Sequence, residues 1–419
     1  MTYKFKGPVL AAGTILAFAA GTAHATDGYF LSGIGAAAKG SGGVAIAMPQ
    51  DALAIATNPA AATVIGHRLD AGIEVFVPDR GATISGNGAG LNGNYSGNGA
   101  NPFVLPEMAY VRPLSDSVAV GIAINGNGGM NTTYKRNPFA AFGAQGDAGV
   151  DLKQVFITPT IAVRVAPGHS VGLSPIIVFQ TFHVHGIQPF SAASMDPARF
   201  TNRGHEHAAG AGVRVGYLGK LGGSVRIGAF YQSKVQAGKF DNYAGLFAQG
   251  GGFDVPASWG GGISAAVGKR LTLGADVKRI AYSGVQSVGN PLSPLFAGVP
   301  FGAKGGPGFG WRDITVWKLG AVYKASERVT LRAGYGRSGN PVPRSETLLN
   351  ILAPGVVQDH FTLGATMTTG GGLEVTGYAM HAPTNRVRGQ GSIPAPYGGG
   401  EADVRLAETS AGIGFGVKF

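Results

Sequence analysis

The 419-residue chain contains no cysteine, which excludes disulfide staples and thiolate chemistry. Charged residues make up only 13% and hydrophobic residues 44%, the reverse of the balance that keeps a chain disordered. From Thr26 onward no stretch of about 18 apolar residues runs free of Pro, Gly or charge. The nearest candidate, 44–65, is broken by Pro49, Asp51 and Pro59, so no spanning helix is expected. The 33 Lys and Arg outnumber the 22 Asp and Glu for a formal charge of +11, but they are scattered. Without a concentrated basic patch no nucleic-acid partner is expected. Also missing are a nucleophile elbow, a zinc-protease helix and paired carboxylates in a catalytic frame, so neither an enzyme nor a cofactor is expected. The glycines of 33–40 do not follow a strand in a βαβ unit, which argues against nucleotide binding.

What is present begins with an export signal. Lys4 and Lys6 precede an apolar run from Val9 to Ala20 and the small-residue site Ala23-His24-Ala25, the pattern of a cleavable signal peptide over 1–25. Loss of those two lysines takes the charge from +11 to +9. The remainder holds most of the 72 glycines, is rich in Ala and β-branched residues, and the whole chain has a mean hydropathy of +0.14. Such a composition suits β structure whose outside faces lipid.

Period-two alternation supports this. Leu69, Ala71, Ile73, Val75 and Val77 share one face, with Asp70, Gly72 and Glu74 on the other. At the C-terminus Thr409, Ala411, Ile413, Phe415, Val417 and Phe419 oppose Ser410, Gly412, Gly414, Gly416 and Lys418. Candidate strands read in this way lie near 67–79, 103–113, 116–126, 153–166, 169–185, 205–219, 222–236, 255–268, 270–284, 311–325, 327–338, 357–369, 372–383 and 405–419. Tight turns alternate with long loops between them, the asymmetry of outer-membrane barrels with short periplasmic turns. Backbone in hydrocarbon must pair internally, so the expected fold is all-β, a closed 14-stranded antiparallel transmembrane barrel over 67–419. A soluble β-sandwich has no place for the long Gly/Asn-rich stretch 81–101. Residues 26–66, rich in Gly and Ala and without strand alternation, are too apolar for a solvated tail and are expected inside the barrel as a hatch.

Ser32-Gly33-Ile34-Gly35, Lys39-Gly40, Gly43-Val44-Ala45, Asp51-Ala52 and Asn58-Pro59-Ala60 follow one another in this stretch. Gly310-Trp311-Arg312-Asp313, Leu319 to Tyr323, Leu331 to Tyr335 and Pro341-Val342-Pro343 follow later. In this order and spacing the chain resembles the outer-membrane long-chain fatty acid transporters, a family that includes aromatic-hydrocarbon channels. The resemblance implies passive diffusion of hydrophobic molecules through a hatch-closed barrel and lateral release into the membrane. It also implies a gate at Asn58, Pro59 and Ala60 beside a kink in the third strand, placed near 119–125, where Gly121 and Gly126 would permit it.

A fatty-acid cargo calls for an apolar path and a cation for its carboxylate. Arg164, Lys318 and Arg332 are the candidate cations, with Arg226 and Lys278 behind them, and Tyr29 and Phe30 are candidate apolar contacts in the hatch. Phe139, Phe142, Phe247, Phe253 and Phe296 supply loop aromatics that either pack on one another or line a ligand groove. His183, His185, His205 and His207 flank one loop on alternating positions, a pattern for a metal site, an acid-sensitive gate or solvated rim histidines. Expected partners are hydrophobic small molecules, outer-membrane lipids and, through C-terminal Phe419, the barrel assembly machinery, with the protein a monomer. Fatty acids, alkanes and aromatic hydrocarbons all need the same apolar path, and a general or anion-preferring porin is the alternative from another class.

Overall fold

A computed structural model describes residues 26–419; the signal-peptide reading over 1–25 lies outside the described residues. Fourteen long strands make the wall. They are β1 (Arg68–Ser85), β2 (Phe103–Pro113), β3 (Val118–Tyr134), β4 (Ala148–Ala166), β5 (His169–His185), β6 (Glu206–Leu221) and β7 (Val225–Gln232). The other half comprises β8 (Ser258–Val267), β9 (Leu271–Ile280), β10 (Ile314–Lys324), β11 (Val329–Ser338), β12 (Asp359–Thr368), β13 (Glu374–Val387) and β14 (Glu401–Lys418). Each pairs antiparallel with its neighbour in sequence, and β14 closes on β1 in register from Glu401↔Ser85 to Lys418↔Arg68. Closure leaves the sheet no free outer edge strand, as a wall in hydrocarbon requires. Among the described residues no helix is long and apolar enough to cross a membrane.

The wall is two-faced, as the alternation predicts. Along β5, Val171, Leu173, Ile177 and Phe179 are exposed while Ser170, Ser174, Ile176, Val178 and Gln180 are buried. Trp317 and Leu319 on β10, Phe361 and Leu363 on β12, and Ile413 and Phe415 on β14 continue the outward apolar belt. Several strands run further toward the long loops than the alternation suggests: β1 reaches Ser85, β3 reaches Tyr134 and β4 starts at Ala148. These extensions hold Gly, Asn and Thr on the outward face, so they lack the lipid-facing signal. Their inner face, with Ala82, Ile84, Met130, Tyr134, Val150 and Leu152, joins one large apolar core built by the folded-over outer loops.

The third strand is interrupted. β2 pairs with β3 only from Met108↔Ile124 to Pro113↔Ala119, and the β3–β4 register slips between Gly126 and Gly128. The irregularity therefore lies just beyond the stretch 119–125 suggested for it. Above Ile124, Phe103–Glu107 of β2 keep their partners on β1 but have none on β3. Phe30 fills part of this gap by bridging to Gly128, and Gly129 N–H donates to the Tyr29 carbonyl at 3.1 Å. A Cβ at position 128 would lie 1.8 Å from that carbonyl oxygen, so only glycine admits the contact.

Candidate functional site

Residues 27–62 lie inside the barrel, and almost all are buried. Their backbone is too irregular to satisfy itself, so it borrows partners from the wall. Ala45 and Ile46 N–H donate to Asp276 of β9 at 2.8 and 3.0 Å, Gly42 N–H donates to Thr362 of β12 at 2.8 Å, and Ala52 N–H donates to Asp70 of β1 at 2.8 Å. Lumen-facing glycines let the two backbones meet: a Cβ at Gly334 would fall 2.0 Å from Gly42 N, and one at Gly216 would fall 2.1 Å from the Asn58 side chain. Lys39, on the short helix Ala36–Gly40, bonds Glu74 of β1 at 2.7 Å and Glu107 of β2 at 3.1 Å, all three buried. Burial alone would push the Lys39 ammonium down; the two carboxylates outweigh it and hold the group charged.

Asn58, Pro59 and Ala60 sit against β5 and β6. The Asn58 amide donates to the carbonyls of Ile46 at 2.8 Å and Tyr217 at 2.9 Å, and its oxygen accepts from Ala60 N–H, capping the turn that Pro59 opens. The tripeptide is thus an anchor on β5 and β6, two and three strands along the wall from β3, and the interruption in β3 is met by Tyr29 and Phe30 instead. Tyr29 lies in a buried aromatic cluster with Phe30, Phe253, Tyr282 and Trp311 at centroid distances of 5.2 to 6.3 Å.

The five predicted contact residues do not form one site. Tyr29, Phe30 and Lys318 come together: Lys318 donates to the Ser32 carbonyl and lies 3.4 Å from the Asp27 carboxylate, which Lys278 of β9 also holds at 2.7 Å. Asp27 is fully buried; burial favours its neutral form, but Lys278, Lys318 and His360 prevail and bring its pKa down to about 2. Arg332 belongs to a separate polar crevice at the short-turn end, with Gln50, Asp51, Arg68, Asp70 and Glu374, where it bonds Gln50 at 2.7 Å and Thr366 at 2.6 Å. Arg164 requires correction. It has the lumen parity of Thr158, Thr160 and Ala162, which are buried, but β4 has by then run past the inner segment and Arg164 is exposed at the rim.

Phe30, Ile34, Ile46 and Phe230 share a small cavity of about 60 Å³ with Lys278, Lys318 and Arg214. A second cavity, among the outer loops, is almost wholly apolar and is lined by Phe139, Phe182, Phe190, Phe200, Phe247 and Phe301 with neighbouring aliphatics. Phe139, Phe247 and Phe253 are buried, whereas Phe296 is exposed. At the outer end the His183 ring stacks on His185 at 5.0 Å and lies tilted against His205 at 4.8 Å, and His205 bonds Asp151 at 3.2 Å. His207 turns away to Thr181, and among the described residues no group of three or more His, Asp or Glu side chains is arranged to hold a metal ion. Sequence reasoning overlooked Asp27, Lys39, Glu107 and Arg214. For the last two the signal was present, since each lies on the lumen parity of its strand, between outward Met108 and Val104 for Glu107 and between Val213 and Val215 for Arg214.

Residues 10–375 match the family model described as outer membrane protein transport protein (OMPP1/FadL/TodX). No curated protein sequence matches the chain. Among solved structures, the Pseudomonas putida toluene transporter TodX is 17% identical with a TM-score of 0.68, covering 93% of this chain and 99% of its own. A Pseudomonas aeruginosa FadL homologue is 18% identical with a TM-score of 0.69, covering 93% and 98%. The Ralstonia pickettii toluene transporter TbuX is 19% identical with a TM-score of 0.64, covering 93% and 99%. At these identities the structures establish the barrel fold, and the family match supplies the function class. The closed antiparallel barrel, its outward apolar belt and the family match lead to one conclusion: this chain belongs to the outer-membrane FadL/TodX family of transport channels for hydrophobic compounds.

Proposed function

We propose that this protein takes up long-chain fatty acids by passive diffusion, with residues 26–66 acting as a hatch and the cargo leaving sideways into the membrane. The observation that carries this reading is the pairing of two cavities, an apolar one among the outer loops and an inner one that sets cations beside apolar side chains. Tail and head group of a fatty acid require these two environments respectively. Cargo would enter at the loop aromatics, descend past Tyr29 and Phe30, and exit between β2 and β3 above Ile124, where the ladder lacks a partner. Asn58, Pro59 and Ala60 serve the gate as its anchor on β5 and β6. A general porin is disfavoured because the inner segment fills the lumen it would need open.

A second reading, uptake of monoaromatic hydrocarbons, is favoured by the phenyl-lined outer cavity and by the toluene transporters among the similar structures. We further propose a monomer solvated by outer-membrane lipids, with Phe419, which is 70% exposed, presented to the barrel assembly machinery. Competition between oleate and toluene for the purified barrel separates the two cargos: oleate is expected to bind and toluene to displace it weakly. Rapid liposome swelling with small sugars, together with no binding of either compound, would overturn the reading.

A further inference from the structure

Basic residues that are dispersed along the sequence are gathered by the fold at the short-turn end of the barrel. Arg164 lies near the end of β4, Lys220 near the end of β6 and Arg226 at the start of β7. Lys269 and Arg270 form the β8–β9 turn, and Lys324 and Arg328 flank the β10–β11 turn. All are exposed, and none forms an ion pair among the described residues. Glu327 is the one acidic residue in the turns that join β4 to β5, β6 to β7, β8 to β9 and β10 to β11. Elsewhere on the same rim charge is balanced, since Glu374 holds Arg68 at 3.0 Å and Lys418 at 2.5 Å. Beside Arg164, Lys220 and Arg226 the outward wall is grooved. Register sets Leu173, Val215 and Tyr231 in one outward row and Val171, Tyr217 and Ala229 in the next. Between the rows, main chain at Gly172 and Gly216 floors an open, almost wholly apolar groove of about 590 Å³. At its edge nearest the turns the Tyr217 hydroxyl and His169 Nδ1 share a hydrogen bond of 2.7 Å.

Short turns of an outer-membrane barrel face the periplasm, so this rim meets the head groups of the periplasmic leaflet. Tyr217, and Tyr323 at the same end of β10, stand where tyrosines mark a membrane interface. Cations at that level that lack a counter-ion in the protein draw anionic head groups, a pull that fades within a Debye length. Attraction of this kind is spread along the rim; the groove adds a fixed seat for a chain beside part of it. We propose that Arg164, Lys220 and Arg226 bind the phosphate of an anionic glycerophospholipid of the periplasmic leaflet, with one of its acyl chains laid in the groove across β4–β7. The three cations have lumen parity, yet they are exposed, and long Lys and Arg stems let the charged ends reach over the rim. Lys220 lies three residues beyond Tyr217, about 10 Å along the strand, so phosphate and chain sites are spaced for one molecule. An acidic periplasmic protein would satisfy the cations but leave the groove unused. The proposal rests on the reading of a lipid-solvated barrel and is independent of the cargo.

Native mass spectrometry of the purified full-length barrel, titrated with phosphatidylglycerol and phosphatidylcholine of identical chains, tests the site. Wild type should retain one phosphatidylglycerol about tenfold more tightly than phosphatidylcholine, and high salt should erase most of that preference. Combining Arg164→Gln, Lys220→Gln and Arg226→Gln should abolish the preference and leave phosphatidylcholine retention unchanged. Combining Arg203→Gln, Lys239→Gln and Lys304→Gln removes the same charge from exposed positions at the long-loop end and should change nothing. Ala229→Trp fills the groove and should weaken both lipids. Should the rim variant not assemble, the salt dependence of wild type and the Ala229→Trp result still decide. Equal retention of the two lipids by wild type, or equal loss of preference in the long-loop variant, overturns the head-group site. Retention unchanged by Ala229→Trp, or displacement of the lipid by glycerol phosphate at equal concentration, overturns the chain seat. A barrel that stays monodisperse without detergent and retains neither lipid overturns the lipid-solvated reading itself.

Discussion

Lys39 stands between two buried carboxylates on adjacent strands, and its removal would leave Glu74 and Glu107 facing each other without a cation. Breaking a buried pair from one side typically costs about 3–5 kcal/mol. Lys39→Met is therefore expected to lower the melting temperature of the purified barrel, and a triple replacement that also neutralises both glutamates should recover most of the loss. Asp51 gives a second prediction, of opposite sign to an ordinary carboxylate. Burial, and after it the like charge of Asp70, raises its pKa to about 7 when the inner segment is seated. Released into water it would titrate near the usual aspartate value of about 4. Between those values the seated state holds the extra proton, so seating weakens as pH rises from about 4 to about 7 and changes no further above that. Amide exchange over 44–57, corrected for intrinsic rates, should be slower at pH 5 than at pH 8, and Asp51→Asn should remove the difference.

At the level of elements, the bridge from Phe30 to Gly128 decides whether the gap between β2 and β3 is covered. Gly128→Val places a side chain where the Tyr29 carbonyl sits, so the bridge must detach. The expected result is protease cleavage near Tyr29 and faster entry of a fluorescent fatty acid into vesicles carrying the variant; unchanged cleavage would show that the bridge does not hold the N-terminus. How legible these elements are in the sequence follows from what each strand faces. Ile413, Phe415 and their like are outward residues against lipid, and lipid imposes a strict period of two, so β14 and β5 can be read almost residue by residue. The outer ends of β1, β3 and β4 face water on one side and the loop core on the other, a mixture with no single period. Parity alone does not separate Arg164 from Arg214, since both have the lumen parity of their strands. Parity tells which way a side chain points but not how deep along the strand the lumen is still filled, and the inner segment reaches the level of Arg214 but not that of Arg164.

For the molecule as a whole, the wall and its contents are separate in sequence, residues 27–62 preceding every wall strand. Deleting 26–61 removes the residues packed against the inside of the wall and the Phe30 bridge to Gly128, while leaving every wall strand paired with its neighbouring wall strands. Vesicles containing that variant should swell with small sugars at a porin-like rate, whereas the intact protein should not; equal slow swelling would mean that the loop core alone closes the channel. The placement of glycine on the lumen wall has a consequence for how such a channel opens. Where Gly334 and Gly320 meet Gly42 and Ser41, main chain rests on main chain with no soft side chain between them to compress. Such an interface offers no intermediate fit, since a shift of an ångström or two breaks its hydrogen bonds together. Conductance measured on single molecules should therefore step between two levels rather than drift, and cargo should alter how often the step occurs rather than how large it is.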